Sequence, residues 1–234
     1  MVNFSDLAIF RNIHKGQRAF VVGAGYSLND FDTSKITDKD IVLAVNHGCT
    51  VLKHCHYFCF TDGSIPYANF FKHATNISDK IMCCANLTLY EHLVKVNMYE
   101  LIKDKTYFLN RRYTTSNNLN FNFWDGLLID GNDVSHVVSH LAHVLGCSPI
   151  ILVGIDLNYR TGVKYCTGTI FKEKVIWPKE APIIYSSLPD GRDDINLNMS
   201  YNLWCQIKNQ NPQVKFININ PNSRLTTLFG VSQI

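Results

Sequence analysis

The chain has 234 residues and lacks several of the signals that assign a protein early to a class. It has eight cysteines, Cys49, Cys55, Cys59, Cys83, Cys84, Cys147, Cys166 and Cys205, and none forms a Cys-x-x-Cys pair. That removes the commonest zinc-ribbon and dithiol redox spacings and leaves free, buried thiols, as expected of a reducing compartment. No apolar run approaches the roughly 18 residues of a membrane span, and Met1 to Arg11 mixes polar and apolar residues without the core of a secretory leader. The expected location is therefore the cytoplasm, with at most peripheral membrane association. No run of five basic residues occurs and the net charge is +3, so nucleic acid is not an expected partner.

What is present is a globular balance of 46% hydrophobic and 18% charged residues. A chain of this length buries roughly 70–75% of its unfolded surface without disulfides. Short apolar runs recur at 19–23, 41–45, 57–61, 80–84, 149–153 and 214–218, each closed by turn residues. Near-continuous apolarity is what strands covered on both faces require. Between them the spacing predicts helices over 91–103, 134–145 and 199–209. Asp133 stands as N-cap and Gly146 just past the C-terminus of the second. The expected fold is α/β, a single Rossmann-like domain over 1–234 with a doubly wound, mostly parallel sheet. Two stretches, 110–131 and 157–198, are long for simple connections, and 157–198 is read as a candidate lid or acceptor loop.

The first strand breaks into Gly23-Ala24-Gly25, followed by Ser27 and Leu28. A strand ending in Gly-x-Gly lets backbone N–H groups approach a phosphate, and Ser27 adds a hydroxyl there. Leu28 stands where the dinucleotide fingerprint has its third glycine, which argues against NAD. Polar residues follow the other strands too: Asn46 and His47, Asp62 and Ser64, Asp156, Asn158 and Tyr159, then Asn220, Asn222 and Ser223. Singly these are turn formers, but in a doubly wound sheet they converge on one edge, where ligands bind. Asn132, Asp133 and Ser135 open a helix, whose N-terminus attracts a phosphate or sugar. His136, His140 and His143 share one helix face, either as metal ligands or as packing. The acid of a His-Glu-x-x-His motif is absent, which favours packing, and no metal site is expected. His54 and His56 carry the same two readings, again with packing favoured.

Gly23-Ala24-Gly25-Tyr26-Ser27-Leu28 resembles the Gly-x-Gly-Pro-Ser-Leu turn of bacterial sialyltransferases of lipooligosaccharide and capsule synthesis, and of the related MptE-like Rossmann domain. Asn46 in Ala-Val-Asn and Asp62 after the third strand are similar to polar positions there. Asn132 to Gly146 followed by Ile150 to Asp156 resembles the family's helix, strand and Gly-Ile-Asp run. Pro221-Asn222-Ser223 resembles its Pro-Asn-Ser-Leu segment. The resemblance implies an inverting, metal-independent transferase that takes a CMP-activated sugar acid, of sialic acid or Kdo type, to a glycan acceptor. It implies donor contacts from Gly23, Ala24, Gly25, Ser27, Asn46, Asp62, Asn132, Asp133, Ser135, Gly154, Asp156, Asn158, Asn222 and Ser223. Tyr159 and Tyr165 would steady the departing phosphate. The family's histidine base follows the Gly-Ile-Asp run, whereas the last histidine here is His143. Asp190, Asp193 and Asp194 are the carboxylates that could replace it. A diphosphokinase-type phosphotransferase, with Mg²⁺ on Asp62 and Asp156, and a non-catalytic nucleotide-sugar binder are the alternatives. Homo-oligomerisation is left open.

Overall fold

The computed structural model describes residues 4–84, 87–113, 119–121, 126–131, 133–158, 166 and 192–234. Among them the strands are β1 Ala19–Val22, β2 Ile41–Val45, β3 Cys55–Phe60, β4 Ser78–Cys83, β5 Thr106–Phe108, β6 Arg111–Tyr113, β7 Leu128–Asp130, β8 Ile150–Val153 and β9 Phe216–Asn218. The helices are α1 Phe71–Ile77, α2 Leu87–Lys95, α3 Tyr99–Ile102, α4 Val134–Val144, α5 Arg192–Gln210 and α6 Thr226–Phe229. Seven strands form one parallel sheet in the order β5-β4-β3-β2-β1-β8-β9. The chain runs outward from β1 through β5, then returns to the other side of β1 with β8. This is the doubly wound Rossmann-like topology, and its switch point lies between β1 and β8. β6 and β7 pair in parallel as a separate ribbon.

The apolar strand runs divide by period two between two cores. Ala19, Val21, Leu43, Val45, Tyr57, Met82 and Leu152 face α4, with Leu141 and Trp204 in the same cluster. Phe20, Val22, Val42, Ala44, Phe58, Phe60, Ile81 and Val153 face the other side, with Phe71 and Leu93. Every residue of β1, β2 and β8 is buried, so no polar face appears in those strands.

Helix boundaries differ from the periodicity in one instructive place. The expected helix over 91–103 starts earlier, at Leu87, and is broken by Asn97. Asn97 takes φ 56°, its N–H bonds Val94 O at 3.0 Å, and Met98 N–H bonds Leu93 O at 2.9 Å. That is a left-handed helix stop, with asparagine where glycine is usual. Gly146 (φ 83°) ends α4 in the same way, as expected, with Cys147 N–H on Ala142 O. Asn12, His14 and Gly16 then donate N–H groups to the carbonyls of Val144, Leu145 and Gly146, tying the N-terminal segment over that helix end. The short strands β5, β6 and β7 and the helices α1 and α6 have no three-turn or alternating pattern long enough to show in the sequence.

Burial disfavours the charged form of two buried and two half-buried histidines. Burial pushes His47 down to about 4 and His140 to about 3, and it lowers His14 and His56 as well. Geometry agrees with this at two of them. Val42 N–H donates to His56 Nδ1 at 3.2 Å. Gln17 Oε1 lies 3.0 Å from His14 Nδ1, so Nε2 must accept from the Tyr57 hydroxyl at 2.7 Å. His136 lies against Trp204 at 4.9 Å, and His140 stacks on Phe121 at 4.6 Å and 9°. The His136–His140 stripe is thus packing, and among the described residues no cluster could hold a metal ion. A histidine whose folded pKa lies below its unfolded value leaves the unfolded chain binding more protons. Stability is therefore full above about pH 6.5 and falls as pH drops below it. Urea unfolding at pH 7.5 and 5.0 should show a loss of about 2 kcal/mol each from His47 and His140. The decline should begin near pH 6.5, well above the carboxylate range, and His140→Phe should remove part of it.

Candidate functional site at the carboxyl edge of the sheet

The ends of β1, β2, β3, β8 and β9 bring most of the sequence candidates to one edge. At the switch point the turn after β1 presses directly on the turn after β8. Gly23 N–H bonds Val153 O and Gly25 N–H bonds Gly154 O, both at 2.7 Å. A Cβ on Gly23 would stand 2.4 Å from Gly154 O, and one on Gly25 would stand 2.6 Å from Asp156 Oδ2. The glycines are therefore required for backbone contact between two turns. Two of the three N–H groups at 23–25 are already taken, which leaves the Ala24 N–H as the group of this turn open to a phosphate. The Ala24 N–H has no acceptor among the described residues, and its carbonyl accepts Cys166 N–H at 2.9 Å. Gly48, in the turn Asn46–Val51, completes the contact: a Cβ there would lie 2.3 Å from Gly23 O. Sequence reasoning did not single out Gly48, because nothing local marks a glycine that packs under a distant carbonyl.

Asp156 is the centre of the edge. It is 6% exposed, and its carboxylate accepts from Ser27 N–H at 2.9 Å, from the Ser27 hydroxyl and from Asn220 Nδ2 at 2.7 Å. Its own carbonyl accepts Arg224 N–H at 3.0 Å. The acid thus joins the ends of β1, β8 and β9, and both its oxygens accept hydrogen bonds within the protein. Ser223 is likewise inward: its buried hydroxyl donates to Ile155 O at 2.8 Å and accepts Leu225 N–H at 3.0 Å. Asn222 is exposed, with its carbonyl bonded to Asn158 Nδ2 at 2.6 Å. Gly154 and Leu157 take φ 63° and 52°, the left-handed geometry that folds this turn back over β1.

Asn46 differs from these. It ends β2 beside the switch point with φ 49°, and its buried Oδ1 makes no hydrogen bond among the described residues. A buried acceptor without a donor is unfavourable by about 1–3 kcal/mol. Asp62, after β3, accepts from Ser64 N–H and Ser64 Oγ at 2.8 Å each. Asp133 caps α4 through Ser135 N–H at 2.7 Å and holds the Ser200 hydroxyl at 3.0 Å. Its charge thus already occupies the helix terminus where a phosphate was expected, while the Ser135 hydroxyl is buried with no partner among the described residues. Near that terminus, Arg111 pairs with buried Asp130 across the β6–β7 ribbon. Tyr159, Tyr165, Asn132 and Asp190 lie outside the described residues. Asp193 and Asp194 fall within α5, but their side chains are outside the description as well. Asp62 and Asp156 cannot share one Mg²⁺: they follow strands three places apart, about 14 Å, whereas oxygens on one Mg²⁺ lie within about 4 Å of each other. A groove of about 490 Å³ between Lys208, Val214, Phe216 and Phe229 lies at the entry of β9, away from this edge.

A doubly wound parallel sheet with glycine, asparagine and aspartate at its carboxyl edge places the chain in the Rossmann-like class. The chain belongs to the MptE-like family, described as 6-hydroxymethylpterin diphosphokinase MptE-like, whose profile matches residues 1–162. Its fold is that of solved sialyltransferases. It is similar to CstII of Campylobacter jejuni in complex with the substrate analogue CMP-3FNeuAc, at 15% identity and TM-score 0.53, over 93% of this chain and 86% of that one. It is similar to CST-II in complex with a trisaccharide acceptor and CMP, at 18% identity and TM-score 0.52, over 93% and 86%. It is also similar to the monofunctional α-2,3-sialyltransferase Cst-I of Campylobacter jejuni, at 15% and TM-score 0.52, over 93% and 81%. No curated protein matches by sequence.

Asp156→Asn keeps the shape but turns an NH₂ toward Ser27 N–H. Chemical denaturation should show a loss of about 2–3 kcal/mol, the range for hydrogen bonds to a charged group. Gly25→Ala should cost about 1–3 kcal/mol through the clash with Gly154 and Asp156. Wild-type stability in both variants would mean the edge is not held together this way.

Proposed function

We propose that the chain is an inverting glycosyltransferase that takes a CMP-activated sugar acid and passes the sugar to a glycan hydroxyl. The observation that carries this reading is the unpartnered Asn46 Oδ1 at the switch-point edge. It calls for a ligand N–H. Cytosine offers one in its exocyclic amine, where uracil turns an oxygen to the same place. The shared fold with proteins solved with CMP and a CMP-sugar analogue supports the reading. Transfer of this kind needs binding, orientation and a place for the hydroxyl proton. The phosphate itself is the leaving group, and donors near Ala24 and Ser135 are suited to stabilise its charge. A cytoplasmic location belongs to the same reading; of the candidate lid over 157–198, residues 159–165 and 167–191 lie outside the described residues and 192–198 belong to α5.

A second reading is favoured by the family description itself: diphosphate transfer to a hydroxymethyl group, driven by a nucleoside triphosphate and Mg²⁺. The ion would need ligands other than the Asp62 and Asp156 pair. The two readings separate in a thermal-shift panel of CMP, UMP, ATP and CMP-sialic acid, with and without Mg²⁺. The transferase reading expects CMP and CMP-sialic acid to stabilise without Mg²⁺ and more than UMP. A ligand at ~100 times its dissociation constant adds about 2.7 kcal/mol. Asn46→Gly removes the amide while tolerating φ 49°. It should weaken CMP about tenfold, or about 1.4 kcal/mol, and abolish the preference over UMP. Stabilisation by ATP with Mg²⁺ alone would replace this reading with the second.

A further inference from the structure

The carboxyl edge holds one histidine pair that the sequence reading did not use. β3 ends at Phe60, and the segment Thr61 to Ser64 crosses the edge beside Asp62. α2 starts from the same edge, after β4, and carries His92 in its second turn. The imidazole rests on Gly63: a Cβ there would come within 2.6 Å of His92 Cδ2 and 2.9 Å of Nε2. Its Nδ1 is 3.2 Å from the Tyr67 hydroxyl, and the two rings meet edge to face at 5.7 Å and 75°. The ring is half-buried, and its Nε2 makes no hydrogen bond among the described residues. The other histidines of this half of the molecule are differently placed. His47 is buried against Phe70 at 5.8 Å, and His136 and His140 are inside the core.

We infer that His92, oriented by Tyr67 over Gly63, is the group that receives the acceptor's hydroxyl proton. The inference rests on the glycosyltransfer reading and fills the place left by the absence of any histidine after His143. When Nδ1–H donates to the Tyr67 oxygen, Nε2 presents its lone pair to the edge. The acceptor oxygen then bonds to the anomeric carbon as the bond from that carbon to the phosphate oxygen breaks. The bonding pair leaves on the nucleotide phosphate, and the hydroxyl proton passes to Nε2, so charge and atoms balance without a further reactant. Asn46 ends β2, the strand next to β3, so it lies about 5 Å along the edge from the end of β3, and α2 with His92 follows β4, one strand further; that is within the span of a nucleoside monophosphate. The Tyr67 phenol holds the ring plane, and in the tautomer in which it accepts from Nδ1–H it leaves Nε2 free to take the proton.

The test is CMP release from CMP-sialic acid, with a galactose-terminated trisaccharide as acceptor, measured from pH 5 to 9 beside CMP binding by thermal shift. His92→Gln should lower kcat by about 100-fold or more, the usual share of general-base catalysis, with CMP binding unchanged and the acidic limb of the pH–rate profile lost. Tyr67→Phe should lower kcat less and displace that limb, which a purely structural role would not do. Wild-type kcat and pH profile in both variants would overturn the assignment while leaving the glycosyltransfer reading in place. No CMP release and no CMP binding by the unaltered chain would overturn both. If His92→Gln fails to fold, Tyr67→Phe carries the decision through the pH profile alone.

Discussion

The carboxylate of Asp156 governs the functional edge. A buried acid with three donors on its two oxygens is stable only if each donor stays where it is. Those donors come from Ser27, two residues beyond the first glycine pair, and from Asn220, after the last strand. One side chain therefore fixes three strand ends, reaching 129 residues back to Ser27 and 64 forward to Asn220. The glycines at 23, 25 and 48 are consequences of that closure, because the backbones meet too closely for any Cβ.

With the switch point closed in this way, the proposed ligand contacts lie sideways along the edge. Asn46 is beside the closed seam and keeps an unanswered acceptor. Asp62, Gly63 and the Tyr67–His92 pair stand beyond the next strand, β3. A ligand lying across β1, β2 and β3 would meet a rigid, hydrogen-bonded floor at one end and a titratable group at the other. That division is physically sensible. Groups that define the pocket are saturated by one another, and groups left unsaturated are those that a ligand must complete.

The strands were legible because burial on both sides leaves an uninterrupted apolar signature: Ala19–Val22, Ile41–Val45 and Ile150–Val153 lie within a residue or so of the expected runs. The helix α4 was legible from Asp133 and Gly146, whose capping roles are local. The break at Asn97 was not, because asparagine in the left-handed region has no unique sequence mark. The roles at the edge were hidden for a different reason. A Gly-x-Gly turn that approaches a phosphate and one that approaches another backbone read identically, and only the neighbour tells them apart. The histidine stripe of α4 was ambiguous in the same way until Trp204 and Phe121 were found against its rings.

The sequence by itself determined the strand and helix alternation, hence the fold class, and the polar residues that strand ends bring to one edge, because those depend on periodicity and on short-range turn chemistry. The tertiary structure alone decided which of those residues hold each other and which face outward. It turned Asp156, Ser27 and Ser223 inward, left Asn46 waiting for a donor, and laid His92 on Gly63. Such pairings are made across the sheet by residues far apart in the chain, and distance in sequence carries no record of them.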